Sequence, residues 1–168
     1  MNRKPKLVGS YLIHLNQNSS LSDSLYHPYG GAISQECLEL LHDEWKERRK
    51  RPLNVKIFTG FDDRHNVYHF SMGFVSKPKR LNFQQVKIVE LLSLAGQDRS
   101  LGLSGKVCCL GGSLNTAEDW EIAFGTAKED PHFPYLGSIR GHRLLEMKPI
   151  DRVWNRDLQV ALIEVSDV

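Results

Sequence analysis

GAISQECLELLHDEWKERRKRPLNVKIFTGF, residues Gly31 to Phe61, holds a helix start, a helix stop and the strand that follows, so its reading decides the fold class. Ser34 suits an N-cap, because its hydroxyl accepts from an orphan backbone N–H of a first turn, and Ile33 is placed to pack on Leu38 as a hydrophobic staple. The helix therefore starts near Gln35. Leu38, Leu41 and Trp45 recur at three- and four-residue spacing, with Cys37 widening the stripe, so one face should lie on a core. Glu36 and Glu39 fall in the first turns, and Lys46, Arg48, Arg49, Lys50 and Arg51 in the last, which complements the helix macrodipole. Pro52 then stops the helix. Beyond it Leu53, Val55, Ile57, Thr59 and Phe61 alternate with other residues, the period of two expected of a strand with one better-buried face.

Toward the N-terminus, Leu7 to Leu15 reads as a first strand after a short basic tail carrying Arg3, Lys4 and Lys6. The segment NQNSSLSDSLYHPYGG between that strand and the helix reads as a long loop by composition. Its aromatic patch, Tyr26 to Tyr29, is either a contact surface or packs on the neighbouring helix.

Toward the C-terminus, Asp62 to Asn66 reads as a turn and Val67 to Val75 as a strand forming a hairpin with the one before it. Ser76 to Arg80 is a basic connector. A second helix is expected from Asn82 as N-cap, with Leu81 as staple, Phe83, Val86, Val89 and Leu92 on one stripe, and Gly96 at its end. Four further strands are expected at Lys106 to Leu110, Trp120 to Thr126, His142 to Lys148 and Leu158 to Val165, divided by GGSLNTAED, KEDPHFPYLGSIRG and PIDRVWNRD. Adjacent Cys108 and Cys109 should face opposite sides of their strand. The whole predicts a single α+β domain over residues 1–168, a mixed, largely antiparallel sheet with two amphipathic helices packed on one side.

Composition agrees with that. With 168 residues, 40% hydrophobic and 25% charged, the chain is long enough to bury a core without covalent staples. A net charge of +2 means that any polyanion contact must come from uneven charge placement. Three cysteines, two of them adjacent, supply neither a disulfide framework nor paired zinc-ligand spacing, so reduced thiols in a cytosolic or nuclear compartment are expected. No apolar run spans a bilayer, and MNRKPKLVGSYLIHL lacks a signal-peptide pattern.

Clustered cations at the helix end concentrate positive potential, and the cationic character continues in Lys56, Arg64 and the basic connector. The candidate anion-binding set, for nucleic acid or an acidic membrane, is therefore Lys46, Arg48, Arg49, Lys50, Arg51, Lys77, Lys79 and Arg80. A plainer reading is a cationic last turn on an amphipathic helix. Three enzyme readings compete. His69-Phe70-Ser71 resembles one half of the paired motifs of two-histidine phosphoesterases, but His14-Leu15-Asn16 lacks the hydroxyl its partner needs. Arg99 to Ser104 resembles the pyrophosphate-binding turn of acetyltransferases, although it follows a helix where that turn follows a strand. Cys108 with His132 or His142 is a formal nucleophile pair. Asp62, Asp63 and His65 sit where a plain turn explains them better than a metal site.

The order strand, loop, amphipathic helix, Lys50-Arg51-Pro52-Leu53, strand Val55-Lys56-Ile57 and then Val67-Tyr68-His69 resembles the core of rhabdovirus matrix proteins over Tyr11 to Val75. The chain departs from that family in lacking a long lysine-rich arm and a Pro-Pro-x-Tyr motif. The resemblance implies a non-enzymatic assembly protein, without cofactor, that self-associates and contacts a nucleocapsid and acidic membrane through basic patches. The rival expectations are an enzyme acting on a phosphate-bearing small substrate and a protein-interaction module using the loop from Leu21 to Gly31.

Overall fold

The computed structural model describes residues 5–15, 20–61, 83–109, 132–149, 155 and 157–165. In chain order these form strand β1 (Lys6–Ile13), helical segment α1 (Ser22–Tyr26 continuing as His27–Tyr29), β2 (Ala32–Ile33), α2 (Gln35–Lys46), β3 (Leu53–Thr59), β4 (Phe83–Gln85), α3 (Ile88–Gln97), β5 (Val107–Cys108), β6 (His132–Ile139), β7 (His142–Pro149) and β8 (Gln159–Glu164). The α+β class is as expected, with three helices among the described residues instead of two.

All eight strands join one mixed sheet in the order β1-β3-β8-β5-β6-β7-β2, with β4 also paired to β8. Antiparallel ladders dominate; β5 with β8 and β2 with β7 are parallel. The expected hairpin partner of β3, Val67 to Val75, lies outside the described residues, and both edges of β3 are held by β1 and β8. The strand expected at Trp120 to Thr126 lies outside them too.

The helices pack on one face of the sheet. Alternation puts Leu53, Val55 and Ile57 of β3, Ala161 and Ile163 of β8, Val107, Leu136 and Leu145 on that face. Leu21, Leu25 and Tyr29 of α1, Cys37 and Leu41 of α2, and nearly every side chain of α3 close over them. A fully buried leucine or isoleucine is worth roughly 1.5–3 kcal/mol, so α3, buried almost all round, is the centre of the fold. The other face carries its own buried row, Phe58, Val160, Leu162, Cys108 and Tyr135. Phe58 meets Phe83 edge to face at 5.4 Å.

The α2 start is as the sequence implies: Ser34 Oγ accepts from Cys37 N at 3.4 Å, and Ile33 and Leu38 both pack on the core. Its end is not. The helix stops at Lys46, and residues 48–50 form no helix before Pro52. The segment read as a loop contains α1, where Leu21, Leu25 and Tyr29 recur every fourth residue and are buried. Its first turn is wound wider than an α-helix, with His27 N donating to Ser22 O five residues back. Tyr29 O–H donates to Ala32 O at 2.7 Å, so the aromatic patch supplies local packing.

The second helix begins six residues later than its expected cap. Asn82 lies outside the described residues, Phe83–Gln85 is strand β4, and Ile88 opens α3. Strand β6 lies in a segment read as a connector because of its Pro and Gly content. Pro134 is tolerated there because it sits one residue beyond the last β5 pair, Cys108 with Tyr135, and its carbonyl still accepts from Cys109 N.

Candidate functional site

The basic helix end turns inward. Arg49 Nε and Nη2 form a forked pair with Glu90 at 2.8 and 2.7 Å, and the same guanidinium donates to Gln84 Oε1 and the Gln85 carbonyl. Glu90 is fully buried, and it also accepts from Lys87 N at 2.8 Å. A planar fork suits this bidentate arrangement better than an ammonium would. Arg48 Nε donates to Leu15 O at 2.7 Å and Nη1 to Trp45 O at 2.8 Å, with its guanidinium carbon 4.0 Å from the Trp45 ring centroid. Arg51 Nη2 reaches Gln84 Oε1.

The eight-residue cationic set therefore divides. Arg48 and Arg49 tie α2 to the end of β1 and to the junction between β4 and α3. Lys46, Lys50 and Arg51 remain exposed, while Lys77, Lys79 and Arg80 lie outside the described residues. The dipole reading also needs correction, since only Lys46 of the run is within the last helical turn. Lys56 is engaged as well, donating to Ser10 Oγ at 2.8 Å and lying 3.6 Å from Glu164.

A second carboxylate joins this junction. Glu44 of α2 accepts from Ile88 N and Val89 N at 3.4 and 3.3 Å, giving the first turn of α3 two acidic partners. Burial, the largest cause, and then the neighbouring charge of Glu90 push Glu44 up to about 7, against the opposing backbone hydrogen bonds and Lys87.

The other end of α3 is held by Arg143 of β7. Its buried guanidinium donates to the carbonyls of Ala95, Asp98, Leu101 and Tyr29, at 2.8, 3.1, 3.4 and 2.8 Å. Tyr11 O–H donates to Asp98 Oδ2 at 2.7 Å, and Ser100 N and Oγ donate to Oδ1. Those donors, the Ser100 hydroxyl first, hold Asp98 below the usual carboxylate range. The turn read as a pyrophosphate cradle is thus fastened internally at Ser100.

The nucleophile reading fails at Cys108, which is fully buried and whose thiol burial pushes up to about 12. Cys37 and Cys109 are buried too, and Cys109 faces the helical core while Cys108 belongs to the opposite layer, as alternation requires. His142 is exposed. His69, Ser71, Asp62, Asp63 and His65 lie outside the described residues, and among the described residues no three His, Cys, Asp or Glu side chains gather as a metal site. No described helix is long and apolar enough to cross a membrane.

The surface feature missed from sequence is β1 as an edge. Its inner side pairs with β3 from Lys6 to Ile13, with a bulge between Leu7 and Gly9, and among the described residues no strand pairs with its outer side. Leu7, Val8 and Leu12 are half exposed there. Compared with protein-family models, with curated proteins and with solved structures, the chain finds no match. Fold and surfaces together define a class: an α+β chain in which Arg48 and Arg49, just past the end of α2, are built into the structure, and in which no strand among the described residues pairs with the outer edge of β1.

Proposed function

We propose that this chain is a non-enzymatic binding and assembly protein that self-associates through the open edge of β1. The observation that carries the reading is the composition of that edge. Exposed edges are ordinarily guarded by charge, proline or a bulge; β1 has a bulge at its start, but Gly9-Ser10-Tyr11-Leu12-Ile13 contains neither charge nor proline. The occupant favoured is a second copy, because the edge is self-complementary. Antiparallel pairing centred on Ser10 sets Leu12 of each chain against the Leu7–Val8 bulge of the other. The like charges of Lys6 then stand at opposite ends, about 26 Å apart at ~3.3 Å per residue.

This fits the matrix-type role implied by the resemblance over Tyr11 to Val75, since assembly into a layer needs a repeatable contact between copies. Sedimentation equilibrium from micromolar to submillimolar concentration tests it. The native chain should associate, and Leu12→Lys should hold it monomeric with the fold intact by near-UV circular dichroism. A native chain that stays monomeric throughout, or a Leu12→Lys variant that associates equally well, would sink the proposal.

A further inference from the structure

Two carboxylates meet the N-terminal turn of α3, and they are held in unlike ways. Glu90 is fully buried and accepts from Arg49 at 2.8 and 2.7 Å and from Lys87 N at 2.8 Å. Those are the lengths of charge-assisted bonds, about 2.7–2.9 Å. Glu44 reaches in from α2, and its bonds from Ile88 N and Val89 N are 3.4 and 3.3 Å. They are loose for a carboxylate. Arg49 gives its donors to Glu90, Gln84 Oε1 and the Gln85 carbonyl, so its fork is filled without Glu44.

The charges facing Glu44 offer it little in exchange. On α3, Glu90 disfavours a second negative charge, and Lys87 favours it. Glu36 of α2 itself and Glu146 of β7 act together with Glu44 on the Cys37 thiol, and Lys148 takes up Glu146 at 2.8 Å. Arg48 is turned to the Leu15 and Trp45 carbonyls, and β4 presents the uncharged Gln84 and Gln85. An ionised Glu44 here rests on two long bonds, whereas outward rotation gives it water. Ile88 N and Val89 N then lose these acceptors and become orphan donors of a helix start.

We infer that Glu44 is the catch of a pH-sensitive latch between α2 and α3, closed while its carboxyl is protonated and released when it ionises. The moving parts are the last turn of α2 and the first turn of α3. The start of α2 stays pinned to β7, where Ser34 N donates to Leu145 O at 2.8 Å. The contacts of Arg48 and Arg49 hold in both states, so the release is local and independent of β1 pairing.

The test is a pH titration of the full chain by nitrogen-15 NMR, following the amides of Ile88, Val89 and Trp45. Their shifts should share one step centred near pH 7, the value to which burial first and Glu90 second push Glu44. Across that step their hydrogen-exchange protection, taken relative to each amide's intrinsic rate, should fall at least about threefold. Glu44→Gln keeps an acceptor oxygen and should abolish both changes. Lys87→Gln removes a charge that favours ionisation, so it should move the step to higher pH. Arg140→Asn is the control for net charge. Ile139 pairs with His142, which leaves Arg140 and Gly141 as a two-residue turn at φ 52° and 81°, and Asn accepts such a backbone. The same hairpin's Arg143 sits at the far end of α3, on the Ala95 and Asp98 carbonyls, so this variant should titrate as the native chain does. A step near the ordinary 4.5, no step, or protection that is unchanged across it overturns the latch. So does a step that survives Glu44→Gln, stays put or falls in Lys87→Gln, or is lost in Arg140→Asn.

Discussion

Arg49 and Arg140 are both arginines in basic surroundings, and the structure uses them in opposite ways. Arg49 lies within a cationic run but meets a buried carboxylate and a backbone carbonyl, so its charge is spent inside the molecule. Arg140 stands exposed in a two-residue turn, on a backbone of positive φ. The difference teaches that a run of cations reports density along the chain, whereas the potential seen by a partner depends on which carboxylates and carbonyls the fold brings opposite each residue.

The sharpest way to break the comparison is to strand the internal charge. Arg49→Ala leaves Glu90 buried without its fork, and removing one partner of such a pair costs about 3–5 kcal/mol. Urea unfolding should show that loss; a change under about 1 kcal/mol would mean the pair is not the junction's support.

A smaller effect should come from Glu44, which shares that junction. Its native value of about 7 lies above the ordinary 4.5, so the folded state holds the proton more tightly than the unfolded one. The stability it contributes is full below about pH 4.5 and lost as pH rises through about 7. At 1.36 kcal/mol per unit the window is worth on the order of 3 kcal/mol at most. Chemical denaturation across that range should show declining stability in the native chain and a flatter profile in Glu44→Gln. A rising native profile would be the contrary result.

Smallest, and opposite in sign, is the change at the hairpin tip. Arg140→Asn should raise the melting temperature slightly, by roughly 0.5–1 kcal/mol of relieved backbone strain. Calorimetry checks it, and a loss of stability would mean that the arginine has an internal partner.

Much of this was legible in residues 31–61, where the device is local. Ser34, Ile33 and Leu38 act within a few residues of one another, and the alternation through β3 needs only a sheet to lie on. The α2 end was not legible, because what stops the helix is the set of contacts that Arg48 makes with Trp45 and Leu15. Segment α1 did leave a signal in Leu21, Leu25 and Tyr29, hidden under Ser, Asn and Pro content. Strand β6 hid for the opposite reason: its Pro134 reads as a breaker until the end of the β5 ladder is known. The candidate surfaces were the least legible of all. Leu7, Val8 and Leu12 look like core strand residues, and only the order of strands makes them an edge. In the same way Arg140 and Gly141 look like the close of a loop until Ile139 is seen paired with His142.

Back-to-back burial of Cys108 and Cys109 makes the molecule its own stopwatch. One thiol is shut under the helical layer and its neighbour is buried on the opposite face of the sheet, so the rate at which each is trapped by an alkylating reagent times the opening of a different side of the same sheet. If α3 lifts away while the opposite face stays closed, Cys109 reacts first; simultaneous labelling would mean that the two faces open together. Two thiols expected from alternation to face opposite sides of their strand thus hold two clocks on adjacent residues.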